Sequence, residues 1–452
     1  MPDQINIAEK KTMGVVTRKL LPFLMLLYLI AYLDRSNISV AALQMNADLG
    51  LSAKMYGIGA GLFYVTYIIF EVPSNIILAR VGARRWIARI MVSWGIVAVG
   101  MAFINTAEQL YGMRLLLGAA EAGFTPGIIY YLSQWFPTNH RARAMSFFYI
   151  AAALASVVGL PISGALLEMH GVFGFAGWRW LYFIEGIPAI VLGLVVLKYL
   201  PDTIQKARWL KGEQKEWLSG RISAESNTPP EKKGKEWQHI FSDSKVWILS
   251  LVWLLQAFGT IGVTLFLPQI LKGVSGGTNF VVSLLSGLPF LFACILMYMN
   301  GRHSDRMKER RFHLGIPLFF SGVLLIVCLY TGSFFSYVLL ILSVALNWSV
   351  TPVFWAVTTE YLASGPIAAG SIGLINAMAN IAGATLPLLM GYIRDLTGNY
   401  NIALWIVGIA LMLGGLLGFL TARMIAGGRA VQLNKVSPGH PVVDNSNPYT
   451  TK

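Results

Sequence analysis

Charge is what this 452-residue sequence has least of: 12% of its residues are Asp, Glu, Lys or Arg, while 56% are hydrophobic. A soluble domain carries roughly 25% charged residues. The composition, with a mean hydropathy of +0.61, therefore excludes an ordinary water-soluble protein and marks an integral membrane one. Cysteine is nearly absent. Cys294 and Cys328 both lie in apolar stretches, which excludes a disulfide framework or a thiolate metal cluster. His140, His170, His239, His303, His313 and His440 stand in or beside polar loops without metal-ligand spacing. Neither a metal nor a cofactor is implied. The net charge of +14 would suit nucleic acid if it formed a basic stripe with interleaved aromatics. The bases gather instead in short loops between apolar runs, so no nucleic-acid partner is expected. No small-residue cleavage site follows the first apolar run, which reads as a retained helix rather than a signal peptide.

Long apolar runs are what the sequence has in abundance. A membrane helix needs about 20 apolar residues. Windows of that length fall near 18–42, 55–78, 86–105, 110–132, 144–168 and 178–200, then near 246–270, 280–300, 313–331, 334–359, 367–393 and 400–425. The predicted organisation is an N-terminal segment 1–17, a six-helix bundle 18–200, a polar linker 201–244, a second six-helix bundle 245–426 and a polar tail 427–452. Arg80, Arg84, Arg85 and Arg89 follow the second run, Arg141 and Arg143 the fourth, and Arg302, Arg306, Lys308, Arg310 and Arg311 the eighth. Lys206, Arg208, Lys211, Lys215, Lys232, Lys233 and Lys235 crowd the linker. The alternate loops hold mainly Lys54, Arg179, Lys272 and Arg394. The excess of bases marks the cytoplasmic side, so both termini and the linker are expected there. The expected fold is all-α: 12 transmembrane helices, multi-pass in a cell membrane, a bacterial inner membrane by expectation, with lipid as its surroundings.

The halves repeat. Arg80, Arg84 and Arg85 recur as Arg306, Arg310 and Arg311 at a displacement of 226, and the same displacement carries Leu160-Pro161 onto Leu386-Pro387. Two parallel six-helix halves are a known transporter architecture, with the binding site between them near the midplane.

Against that apolar background the ionisable residues inside the runs stand out: Asp34 and Arg35 in run 1, Glu71 in run 2, Arg114 and Glu121 in run 4. Each costs about 2.5–3.5 kcal/mol at the bilayer centre on insertion scales, and such residues mark substrate and proton pathways. Arg114 and Glu121 are seven apart and share a helix face. Asp34 and Arg35 are neighbours, so their side chains diverge by about 100° and meet different partners. Glu71, near a membrane boundary, reads equally as a solvated residue, and Glu185 as a packing contact. The surface pair Arg394-Asp395 carries no functional expectation. Run 2 sets Tyr64, Tyr67 and Glu71 on one face; run 10 does so with Trp348, Thr351, Trp355 and Thr358; run 11 with Gly373, Asn376, Asn380, Gly383 and Pro387. The residues predict a cavity with cationic and protonatable groups on one side and aromatic and hydrogen-bonding groups on the other. A guanidinium there suits a carboxylate through forked, charge-assisted hydrogen bonds.

The stretches "YLDRSNIS", "FEVPSNIILARVGARRW", "RLLLGAAEAGFTPG" and "GWRWLYFIEGIPA" resemble the anion:cation symporter family of the major facilitator superfamily over about residues 18–425, notably its rhamnonate, tartrate and phthalate permeases. That resemblance implies the superfamily's fold and a proton as coupling ion. By correspondence it makes Asp34 and Glu121 protonation sites, with Arg114 the partner of Glu121. It makes Arg35 and Tyr67 contacts of a substrate carboxylate, and Trp355 and Asn376 contacts of the rest of the substrate. Ala152 stands where the family has a glutamine, so the contacts to a polyol chain differ. The superfamily's loop acid is lost in the first half, where Asn75 and Ala79 replace its Gly and Asp, and kept in the second as Gly301, Asp305 and Arg306. Asp305 is therefore expected to latch against a facing helix end, with Arg306, Arg80 and Arg84 as gate bases. The expected function is proton-coupled uptake of a small organic anion, a sugar acid or hydroxy-dicarboxylate, by a monomer. The alternatives are an aromatic-acid permease or anion exchanger of the same fold, and a membrane sensor without transport. No nucleophile–base pair or phosphate loop supports an enzyme.

Overall fold

The computed structural model describes residues 2–226, 241–307, 309–362 and 366–436. Lys232, Lys233, Lys235, Lys308, His239 and His440 lie outside the described residues. Among the described residues regular structure is helical, without a strand. Twelve segments are long and apolar enough to cross a membrane: α1 (Glu9–Asp48), α2 (Ala53–Glu71), α3 (Ala83–Phe103), α4 (Ala107–Ser133), α5 (Phe147–Leu167), α6 (Gly177–Tyr199), α7 (Ser244–Gly273), α8 (Asn279–Met307), α9 (Arg311–Tyr330), α10 (Ser333–Thr358), α11 (Ser371–Thr397) and α12 (Asn401–Thr421). They coincide with the twelve apolar runs. The helix of α2 continues to Val81, and that of α5 begins at Thr138. Side-chain caps mark where the chain turns back. The Ser52 hydroxyl accepts from the Met55 N–H, and the Thr106 hydroxyl from the Gln109 N–H, supplying partners that helix starts lack.

An even number of crossings puts both chain ends at one end of the bundle, here termed the terminal end. Helices α1–α6 and α7–α12 form the two halves. Within the linker, helix Gly212–Ser226 buries Leu218, and Trp209 stacks on Trp135 with ring centroids 5.5 Å apart.

The halves meet most closely toward the far end, through α2 on α11, α5 on α8 and α1 on α7. Apolar tails give no hydrophobic drive between membrane helices, so close backbone approach over small residues does the packing. A Cβ at Gly57 would lie 2.2 Å from the Pro387 carbonyl oxygen, and one at Gly61 2.6 Å from that of Ala384. On α8, Ser283 and Gly287 stand 226 positions after Gly57 and Gly61, and they meet Gly164 and Pro161 of α5 in the same manner. The internal repeat is thus a repeat of interfaces.

Polar contacts complete the far end. The Asp395 carboxylate accepts from the Ala53 and Lys54 N–H groups (2.9 and 2.8 Å), and Glu168 accepts from the Phe280 N–H (3.3 Å). Each is a carboxylate from the end of one half's helix set on the first turn of a helix in the other, where the helix dipole favours negative charge. Tyr56 adds a bond to the Leu265 carbonyl at 2.9 Å.

Candidate functional site

Helix geometry separates Asp34 and Arg35. Arg35 reaches α4, where its Nε lies 2.5 Å from Glu121 Oε1; the guanidinium is one-fifth exposed and the carboxylate fully buried. The ring of Tyr67 lies 4.8 Å from the guanidinium carbon, close enough for a cation–π contact. Asp34 turns the other way, into the first half, and accepts from the Asn37 side-chain amide at 2.9 Å.

Arg114 makes no hydrogen bond to Glu121, although its charge lies within reach of that carboxylate. Its Nε and Nη2 donate to the carbonyls of Gly59 and Ala60 on α2 (3.2 and 3.4 Å), and its guanidinium lies 4.9 Å from the Phe63 ring. Seven residues of helix rise about 10 Å, so a shared face sets these two side chains two turns apart. Arg35, arriving from another helix, takes the carboxylate. Glu121 itself ends a helical stretch: α4 breaks at Ala122 and Gly123, the latter at φ +86°, before resuming at Phe124. A Cβ at Gly123 would lie 2.3 Å from the Ser74 hydroxyl, so both backbone angle and space favour glycine.

The second half supplies the aromatic wall. Trp355 lies across from Tyr149 of α5, rings near parallel at 6.4 Å, and edge-on to Trp253 at 5.2 Å. Trp348 meets Tyr32 of α1 at 6.0 Å and Phe290 at 5.6 Å. Tyr64 is packed flat on Gly383 of α11, where a Cβ would meet its ring at 2.5 Å, so it serves the contact between halves. Asn376 faces Glu71 of α2, drawing into the site an acid that the sequence left undecided. Asn380 is partly buried, and its amide nitrogen makes no hydrogen bond. Thus Arg35, Tyr67 and Glu121 meet in the first half, Asp34 and Arg114 are buried behind them, and Trp355, Asn376 and Asn380 stand in the second half.

Tyr149, Tyr32 and Trp253 were missed from sequence. Tyr149 precedes Ala152 by one turn on the same face, and that spacing was the available clue. Glu185 is 4% exposed and accepts from the Ser163 hydroxyl of α5 at 2.6 Å, a contact between neighbouring helices.

At the expected gate, Arg310, five residues on, holds Asp305 at 2.5 Å, and the Asp305 side chain is 70% exposed. Arg80 and Arg306 are exposed at the terminal end. Arg84 pairs at 3.1 Å with Asp202, a residue just past α6 within the same half.

Comparison with known proteins agrees with this architecture. The Major Facilitator Superfamily matches residues 24–372. The chain is 43% identical over 423 residues to a protein of Agrobacterium vitis named for tartrate transport, covering 92% of this chain and 93% of that one. It is 36% identical over 419 residues to a quinolone resistance transporter of Acinetobacter baumannii, covering 91% and 95%. Among solved structures, a bacterial homolog of the human lysosomal transporter Spinster, inward-facing and unoccupied, superposes with a TM-score of 0.76 at 17% identity, covering 91% of this chain and 98% of that one.

Proposed function

Because this chain belongs to the Major Facilitator Superfamily, we propose that it imports a small organic anion, a sugar acid or hydroxy-dicarboxylate, together with a proton, by alternating access to one central site. Transport itself follows from the family; the anion and the proton are our reading. The observation that carries it is the Arg35–Glu121 pair at 2.5 Å, a half-buried guanidinium on a fully buried carboxylate. A guanidinium held by an internal carboxylate is a site already shaped for an external one. Protonation of Glu121 removes the competing charge and frees Arg35 for a forked pair with the substrate's carboxylate. Tyr67 fixes the plane of the guanidinium, and Asn376 and Asn380 offer amides to substrate hydroxyls. Binding of anion and proton are then linked, since the site takes up both or neither at little electrostatic cost. The relative named for tartrate transport agrees with this chemistry.

The basic loops support a cytoplasmic terminal end, and the tight far-end packing supports an inward-facing state. We assign Asp305, together with Arg306, Arg80 and Arg84 of the terminal-end loops, to closure of that end in the opposite state. A single chain holds the whole site, so a monomer suffices, with no cofactor beyond the proton.

A second reading has its own observation. The parallel rings of Tyr149 and Trp355, with Trp253 beside them, form flat apolar faces that suit an aromatic acid.

Both readings meet in one experiment: uptake by proteoliposomes of a panel of sugar acids, tartrate and aromatic acids, with and without an imposed inward proton gradient. Accumulation of a hydroxylated anion driven by the gradient is the expected result. Uptake indifferent to the gradient removes symport, and preference for aromatic acids selects the second reading.

A further inference from the structure

A second group of buried acids lies behind the site, inside the first half. Asn37 sits one turn after Asp34 on α1 and donates to it at 2.9 Å. The same side chain faces Glu185 of α6, which also lies within electrostatic reach of Asp34. Glu185 Oε1 accepts from Ser163 of α5 at 2.6 Å. Asp34 Oδ2, Glu185 Oε2, Asn37 Oδ1 and the Tyr182 hydroxyl are all buried without a hydrogen-bond partner. Relative exposures are 1% for Asp34 and Asn37 and 4% for Glu185.

Counting charge decides what this cluster holds. Asp34, Glu121 and Glu185 are buried acids, and Arg35 and Arg114 are the guanidiniums among them. Arg35 is committed to Glu121. Arg114 of α4 is the cation left to face Asp34 and Tyr182, and the Glu121–Arg35 pair, acid foremost, also bears on Asp34. Two neighbouring buried carboxylates served by one cation cannot both be ionised without great cost, and the relief is to hold one proton between them. A neutral acid also donates, which answers the orphaned acceptors: an O–H on Glu185 can reach the Asn37 carbonyl, and one on Asp34 likewise.

Resting on the symport reading and extending it, we propose that Asp34 and Glu185 form a proton-sharing dyad bridged by Asn37, so that the coupling proton belongs to the pair. In one form Asp34 carries the proton and Glu185 is the carboxylate receiving the Ser163 hydrogen bond. In the other an O–H breaks at Asp34 and forms at Glu185, leaving Asp34 ionised opposite Arg114. Nothing else is exchanged. Glu185 touches no substrate; it is a positioning residue that sets how firmly Asp34 holds its proton.

Infrared difference spectroscopy of the purified full-length protein during a pH titration tests the dyad without any substrate, by the carbonyl stretch of protonated carboxyls. The band that disappears in Asp34→Asn identifies the acid. In Glu185→Gln, an isostere of the neutral form, the second carboxylate no longer helps to retain the proton. The midpoint of that band is expected to move to lower pH by roughly one unit. Asn37→Ala, which removes the bridge, should move it too. A midpoint in Glu185→Gln that stays within about 0.3 unit of wild type overturns the proposal. Gradient-driven uptake by wild type reads the symport hypothesis separately, so each idea can fail without the other.

Discussion

Arg35 and Glu121 hold each other with the carboxylate fully buried and the guanidinium one-fifth exposed, so the effects of removing either one are unequal. Arg35→Ala leaves a buried carboxylate without its cation and removes the proposed substrate anchor. Truncating one member of a buried charge pair costs about 2–5 kcal/mol in binding, which is thirtyfold or more in affinity. Glu121→Gln keeps shape and hydrogen-bonding capacity but cannot titrate. Substrate binding and counterflow should survive within a few-fold, while acceleration by a proton gradient is lost. Both are read with the best-transported anion of the uptake panel, and unchanged affinity in Arg35→Ala would defeat its assignment. The divergence of Asp34 and Arg35 was legible in sequence because helix geometry separates any two neighbours. The partner of Glu121 was not, because it comes from a helix 86 residues away. The partners of Glu185 were hidden for the same reason: Ser163 and Asn37 lie on other helices.

At the scale of helices, the twelve crossings were legible from apolar run length, while the caps at Ser52 and Thr106 appear only in the structure. The far-end clamps were not. Asp395 reads as a surface residue, and its role appears only with the Ala53 and Lys54 N–H groups it caps. Those groups belong to the backbone, so no residue type announces them. The symmetry has the same character. Phe280 N–H stands 226 positions after Lys54 N–H and takes Glu168 in place of Asp395, although neither side chain at that position repeats. A carboxylate at an exposed helix start is worth about 0.3–1 kcal/mol, so each clamp shifts the equilibrium a few-fold without deciding it. Hydrogen exchange followed by mass spectrometry should show faster exchange at residues 53–54 in Asp395→Asn and a smaller effect at 280 in Glu168→Gln, since that bond is single and longer. Equal protection in wild type and both variants would discount the clamps.

For the molecule as a whole, alternating access requires the far-end interfaces to come apart, and glycine makes them separable. At Gly57 an added Cβ meets a backbone carbonyl at 2.2 Å, and no rotamer change moves a backbone atom. The three atoms nearest to that Cβ all belong to Pro387 and Leu388, in the other half. The least costly relief for Gly57→Leu is therefore separation of α2 from α11, not unfolding. Overpacking costs typically 1–3 kcal/mol, and more against a fixed carbonyl. Reversing a two-state preference from 1:99 to 99:1 takes about 5.5 kcal/mol, so a clash of this kind can move most of the population. Gly57→Leu is expected to fold and to lose at least tenfold in net transport. It should raise hydrogen exchange at the far ends of α2 and α11 together, while exchange in α3 and α6, packed within one half, stays as in wild type. A general rise through the first half instead would mean that Gly57 serves folding rather than the closing of the two halves. Gly123→Ala makes the contrast: its strain, at φ +86° and against Ser74, lies inside one half, so it should lower thermal stability without favouring either end.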